Sequence, residues 1–173
     1  MSNPPVSLAQ FIAQNAPLVG APEPRVERVS LLLFEIERSL YAAPLDHVRE
    51  VIRAEGITRI PQAPPHVRGV QSLRGVVLPV LEIRSRLGLT PATLTPASRV
   101  LVGELARRWV GLLVDHVQQV VHVPRSELLP PPSEVRSPLA GYLAGTVRVG
   151  AQVALLLDLD ALLVLPGAEA PKV

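Results

Sequence analysis

Cysteine is absent from this 173-residue chain. That excludes disulfides, thiol nucleophiles and thiolate metal ligands, and it is compatible with a reducing compartment. Aromatic residues amount to only 3%: Phe11, Phe34, Tyr41, Trp109 and Tyr142. Hydrophobic residues still make up 48%, so the core must be built from Val, Leu, Ile and Ala. Lysine occurs once, at Lys172, and the remaining basic residues are scattered arginines. Seventeen basic against fifteen acidic residues leave a formal net charge of +2. No basic stripe of the kind that tracks a nucleic-acid backbone stands out.

Nor is there an apolar run long enough to span a bilayer, or a basic start followed by an apolar leader. A soluble, cytoplasmic protein is expected. Catalytic patterns are missing as well, since the chain has no G-x-S-x-G and no glycine-rich phosphate loop, and no base stands paired with a nucleophile. The four histidines, His47, His66, His116 and His122, do not fall at metal-ligand spacing. No catalytic, metal or cofactor site is expected. Asp158 and Asp160 form a D-x-D pair where a strand ends, and Asp160 is read as the N-cap of the following ALLVL.

What the chain does contain begins with a lead-in, residues 1–27, holding Pro4, Pro5, Pro17, Pro22 and Pro24. Its composition predicts flexibility, apart from a short capping-box helix at Ser7–Gln10 with Leu8, Phe11 and Ile12 on one face. Residues 29–36 and 40–43 are strand-like and suggest a hairpin. Residues 46–53 (DHVREVIR) are read as one or two helical turns, with Asp46 as N-cap and Val48, Val51 and Ile52 inward. The most ordered-looking stretch is 60–83. A proline-rich bend at Pro61, Pro64 and Pro65 precedes two β-rich runs, 67–73 and 76–83, separated only by Arg74-Gly75. Gly75 supplies the positive φ that such a tight turn favours. Arg74 then stands at the tip of a stiff hairpin, a position suited to contacting a partner. The helical stub RSRLGL ends at Gly88, and residues 90–98 read as a linker.

The second half repeats the first. Leu45-Asp46-His47-Val48 with Val51-Ile52 recurs as Val114-Asp115-His116-Val117 with Val120-Val121, so 46 maps to 115 at an offset of 69 residues. The same offset carries Ile60-Pro61 onto Leu129-Pro130. The strand ending at Glu82 recurs as the one ending at Asp158, at an offset of 76. Two equivalent β-rich lobes follow, and short strands punctuated by Gly and Pro favour small barrels, whose closure removes exposed edges. A groove between two such lobes, lined by Val, Leu and Ile, would seat a partner's helix. The alternative, a small barrel binding single-stranded nucleic acid by base stacking, is poorly served by five aromatics, three of them in strand-like apolar runs.

The order and spacing of several blocks resemble the CheW family of chemotaxis coupling proteins. They are LFEI with LYAAPLDHVREVI, then ITRIPQAPPHVRGVQSLRGVVLPVLEIRSRLGL, RVLVGEL, WVGLLVDHVQQVV, ELLPPP and YLAGTVRVGAQVALLLDLDALL. Together they cover residues 30–163. The resemblance implies an all-β fold with short helices: two five-stranded SH3-like β-barrel lobes forming one CheW-like domain, with a hydrophobic groove between them. The domain would span 28–166, with lobe 1 at 28–83, a linker at 84–98, lobe 2 at 99–163, and a tail at 167–173. It further implies a non-catalytic adaptor joining the regulatory domain of a CheA-type histidine kinase to the cytoplasmic tip of chemoreceptors in membrane-associated arrays. Carried over by position, the receptor-facing residues are Val48, Glu50, Gly69 and Arg74, with Leu73 beside them. Ser72 stands where the family usually has asparagine, which changes the hydrogen bonding open to the turn.

Overall fold

The structure, a computed structural model, describes residues 25–136 and 138–164. The expected helix at Ser7–Gln10, the lead-in up to residue 24 and the tail at 167–173 lie outside the described residues. Eleven strands run in chain order. They are β1 (Arg28–Ile36), β2 (Ser39–Pro44), β3 (Glu50–Arg53), β4 (Val67–Leu73), β5 (Val76–Glu82), β6 (Arg99–Leu105), β7 (Arg108–Val114), β8 (His116–Pro124), β9 (Leu128–Leu129), β10 (Leu143–Val149) and β11 (Gln152–Leu157). Two short helices, α1 (Ile83–Arg86) and α2 (Leu159–Leu163), follow β5 and β11.

The strands form two curled sheets, one of order β8-β1-β2-β11-β10-β9 and one of order β3-β6-β7-β5-β4. The family resemblance implied five strands in each lobe; the sixth strand of the first sheet is the two-residue β9. Sheet membership also corrects the expected division of the chain at residues 84–98. The hairpin β1–β2 joins β8–β11, and the hairpin β6–β7 joins β3–β5. Each repeat therefore donates its first hairpin to the lobe built by the other. The repeat itself is visible in the pairing: β3 pairs with β6 as β8 pairs with β1, and the parallel contact of β5 with β7 matches that of β11 with β2.

The exchange explains why β1, β2, β6 and β7 read as continuous apolar runs rather than alternating ones. Both of their faces are buried, as in a covered sheet. Leu31 and Leu33 of β1 enter a cluster inside the first sheet, while Leu32, Phe34 and Ile36 enter the largest cluster, between the sheets. In β6 and β7, Val100, Val102 and Leu113 line the second sheet's interior, and Leu101, Val110 and Leu112 face the first sheet. Strand period 2 thus distributes one sequence run over two cores.

Three readings of local structure change. Residues 46–53 do not form a helix: a 3-10 turn at Leu45–His47 leads directly into β3. Pairing with β6 decides this, because a segment whose apolar spacing suits either period takes the conformation that tertiary contacts reward. Val51 consequently faces outward at 37% exposure. The cap before α2 is Asp158, whose carboxylate accepts the Ala161 N–H at 3.1 Å, and Asp160 lies within the first turn. Residues 90–98 are tethered rather than a free linker. Arg68 donates to the Ala92 carbonyl at 3.0 Å, and Thr95 N–H donates to Ser98 Oγ at 2.9 Å.

Candidate protein-interaction site

The second sheet has β3 at one edge and β4 at the other. Because the sheet curls, these edges meet and form a seam. Just beyond β3, Thr58 and Val70 of β4 exchange both backbone hydrogen bonds, at 2.8 and 2.9 Å. Gln71 Nε2 donates to the Arg53 carbonyl across the same seam at 2.8 Å. At its end the Arg74 guanidinium reaches Glu50, with Nη2 2.9 Å from Oε1. The seam satisfies strand edges that would otherwise expose unpaired donors and acceptors.

The five sequence-derived residues fall on or beside this seam. Glu50 opens β3, and Val48, just before it, packs against the large cluster from the end of the 3-10 turn. Gly69 lies buried in β4, where an added Cβ would meet the Thr58 carbonyl oxygen at 2.2 Å. Leu73 and Arg74 close the β4–β5 hairpin, with φ of 50° at Arg74 and 80° at Gly75. Two consecutive positive φ values are the signature of the tight turn whose twist matches that of the strands. Ser72 is exposed, opposite Val77.

Glu50, Leu73 and Arg74 line a cup of about 220 Å³ together with Arg49, Val102 and Trp109. The last three were not singled out from sequence. Trp109 is only half-buried although it sits in an apolar run, and the Arg49 guanidinium lies 5.4 Å from its ring centroid. Arg49 N–H donates to the Val102 carbonyl of β6 at 2.8 Å, and β6 in turn sets Glu104 opposite Trp109 of β7, a cross-strand placement that no local sequence signal gives. Phe34 and Tyr41 do stack in the core, 6.1 Å apart. That leaves no exposed aromatic series for stacking bases among the described residues.

The groove between lobes is not an open apolar channel beside the 3-10 turn. The large cluster fills the space between the sheets, and the cup where the turn, β6 and α2 meet is lined by Asp46, His47, Arg49, Glu104 and Asp160. At the matching position of the other repeat Arg84 grips Asp115 with both Nε, at 3.1 Å, and Nη2. These hydrogen bonds hold the Arg84 pKa above its ordinary value, against the opposing effect of burial. Among the described residues no three His, Cys, Asp or Glu gather as a metal would require. No helix among them is long and apolar enough to cross a membrane. His66 is half-buried with its Nε2 unpartnered, and desolvation, then the Arg86 charge, lowers its pKa.

Two fused β lobes with swapped hairpins, a closed seam and shallow open cups define a protein-binding module. Residues 30–166 match the family model described as "CheW-like domain". The probable chemotaxis protein CheW of Rhizobium etli is 33% identical over 133 residues, covering 76% of this chain and 85% of that protein. Protein PilI of Pseudomonas aeruginosa is 32% identical, covering 73% and 72%. The crystal structure of the scaffolding protein TtCheW from Thermoanaerobacter tengcongensis superposes with a TM-score of 0.70 at 25% identity, covering 76% of this chain and 90% of that one. The chain belongs to the CheW family. Its function is that of a chemotaxis coupling adaptor.

Proposed function

We propose that this adaptor joins the cytoplasmic tip of a chemoreceptor to the regulatory domain of a CheA-type histidine kinase, in the cytoplasm beneath a receptor array and without catalysing a reaction. Glu50, Leu73 and Arg74 contact the receptor helix directly, Val48 supports them from the adjoining turn, and Gly69 allows the seam to close. The observation that carries this reading is convergence. Residues 50, 69, 73 and 74, separated in sequence, lie along one seam with Val48 in the turn beside it, and three of them line one cup with Trp109 and Val102. A cup with an apolar floor and an arginine–glutamate pair at its rim suits a helix that presents apolar and charged side chains in turn.

The test is a pair of calorimetric titrations of the intact chain, against a receptor-tip fragment and against the kinase regulatory domain. Both should saturate at fixed stoichiometry, and a ternary mixture should retain both partners. Competition between the two fragments for one site would sink the adaptor arrangement. Strong, salt-sensitive binding to single-stranded DNA with no binding to either fragment would restore the nucleic-acid alternative.

A further inference from the structure

The two repeats place the same residues at their crossovers and fill them differently. Around Asp115 the neighbours are Glu35, Gln118 and Arg84. The repeat offsets of 69 and 76 carry Asp115, Glu35, Gln118 and Arg84 onto Asp46, Glu104, Arg49 and Asp160. In the first group Gln118 bonds Glu35 and the Arg84 fork sits on Asp115, which also accepts the Glu37 N–H at 2.7 Å. That site is closed. In the second group Arg49 pairs with Glu104, but an aspartate occupies the place of Arg84. Asp46, Glu104 and Asp160 therefore share an open cup of about 490 Å³ with one guanidinium and His47, whose Nδ1 is 3.4 Å from Asp160. Among the described residues no second guanidinium lines this cup.

This acidic cup is one end of a continuous surface. It shares Arg49 with the cup that holds Glu50, Leu73 and Arg74, and that cup shares Trp109 with a third, apolar concavity. The third is lined by Val76, Val77, Pro79, Arg107 and Arg108, with Val76 and Val77 at 45% and 65% exposure. Charge thus grades along the strip, from an apolar concavity edged by Arg107 and Arg108 with no lining carboxylate, through a middle cup where Arg49 and Arg74 meet Glu50 beside Leu73 and Trp109, to three carboxylates.

We propose that this strip is a single docking surface for one amphipathic partner helix, whose apolar stripe crosses Trp109 and Leu73. The helix places an arginine or lysine in the acidic cup, as Arg84 is placed in the matching site of the other repeat, and acidic residues over Arg107 and Arg108. Charge complementarity along the strip sets the direction in which the helix lies, because the reverse orientation puts like charges together at both ends. The proposal rests on the reading that the partner is the receptor tip, and it adds the polarity of that contact and Trp109 as its pivot.

The experiment titrates a receptor-tip fragment against the intact chain and three variants, with kinase-domain binding as the control for folding. Asp160→Arg supplies the missing cation from within, so it should fill the cup against Asp46 as Arg84 fills its counterpart. Its melting temperature should hold or rise while tip affinity falls at least tenfold. Asp46→Asn with Asp160→Asn should weaken the tip at least fivefold and flatten the salt dependence of binding. Arg74→Ala reports on the underlying reading. If Arg74→Ala weakens the tip while both cup variants bind it as the parent does, the strip is overturned and the reading stands. If all three bind as the parent does, both are overturned.

Discussion

The backbone of Gly69 passes so close to the carbonyl of Thr58 that a Cβ there would lie 2.2 Å from its oxygen. Gly145, at the matching place in β10, stands in the same relation to the Leu129 carbonyl, at 2.4 Å. Both sit where strand register shifts, between Val67 and Gly69 and between Leu143 and Gly145. Since the obstacle is backbone in each case, neither seam yields cheaply. Gly69→Ala and Gly145→Ala should each cost roughly 2 kcal/mol or more, at the upper end for point substitutions. Chemical denaturation checks this. A Gly69→Ala protein of parental stability that had lost receptor binding would mean the glycine acts at the partner surface instead.

Arg74 separates folding from binding. Its pair with Glu50 is largely exposed on the arginine side, at 69%, so Arg74→Ala should change stability by less than about 1 kcal/mol. Receptor-tip affinity should fall by roughly 1–3 kcal/mol, the scale of a charge-assisted contact at a partly dry interface. Kinase-domain affinity should hold. Arg74→Lys should recover little, because an ammonium does not reproduce the guanidinium fork. Equal loss toward both partners would trace the effect to hairpin misfolding.

The two crossover aspartates should differ in stability although they match in sequence. Arg84 and Asp115 are only 19% and 25% exposed, and Arg84→Ala would strand a half-buried carboxylate. The expected cost is about 1–3 kcal/mol. Asp46→Ala removes a carboxylate that holds no guanidinium among the described residues, and it should stay within about 0.5 kcal/mol. Thermal melts of the two variants side by side make the comparison, and equal effects would refute the asymmetry.

Glu82 makes a pH signature. Its side chain is 2% exposed, and burial pushes its pKa up, although the Ala92 N–H and the Arg68 charge oppose this. A carboxyl whose folded pKa lies above its unfolded value binds a proton more readily in the native state. Its contribution is therefore fully present below the unfolded pKa and is lost as pH rises through the folded one. Glu82→Gln removes that titration, so its stability relative to the parent should rise with pH across the carboxylate range. Denaturant midpoints of both proteins over that range give the answer. A difference that falls with pH would show that Arg68 governs Glu82 instead.

Much of this protein is legible in its sequence. Apolar runs and turn residues located β1, β2, β4, β5 and the end of β11, and Arg74-Gly75 located the hairpin tip, because backbone conformational preferences are local. The 69-residue echo of Leu45-Asp46-His47-Val48 established the repeat. The family blocks supplied Val48, Glu50, Gly69, Leu73 and Arg74. Tertiary structure decided what local preference leaves open. Residues 50–53 became a strand because β6 offered them a partner, and each repeat's first hairpin crossed into the other lobe. That exchange cannot be read from a repeat, since swapped and unswapped pairings satisfy the same apolar pattern. Which crossover aspartate receives a cation was likewise decided in space. Arg84 and Asp160 hold equivalent positions, but only the fold brings each against its aspartate, one as a partner and the other as a second negative charge.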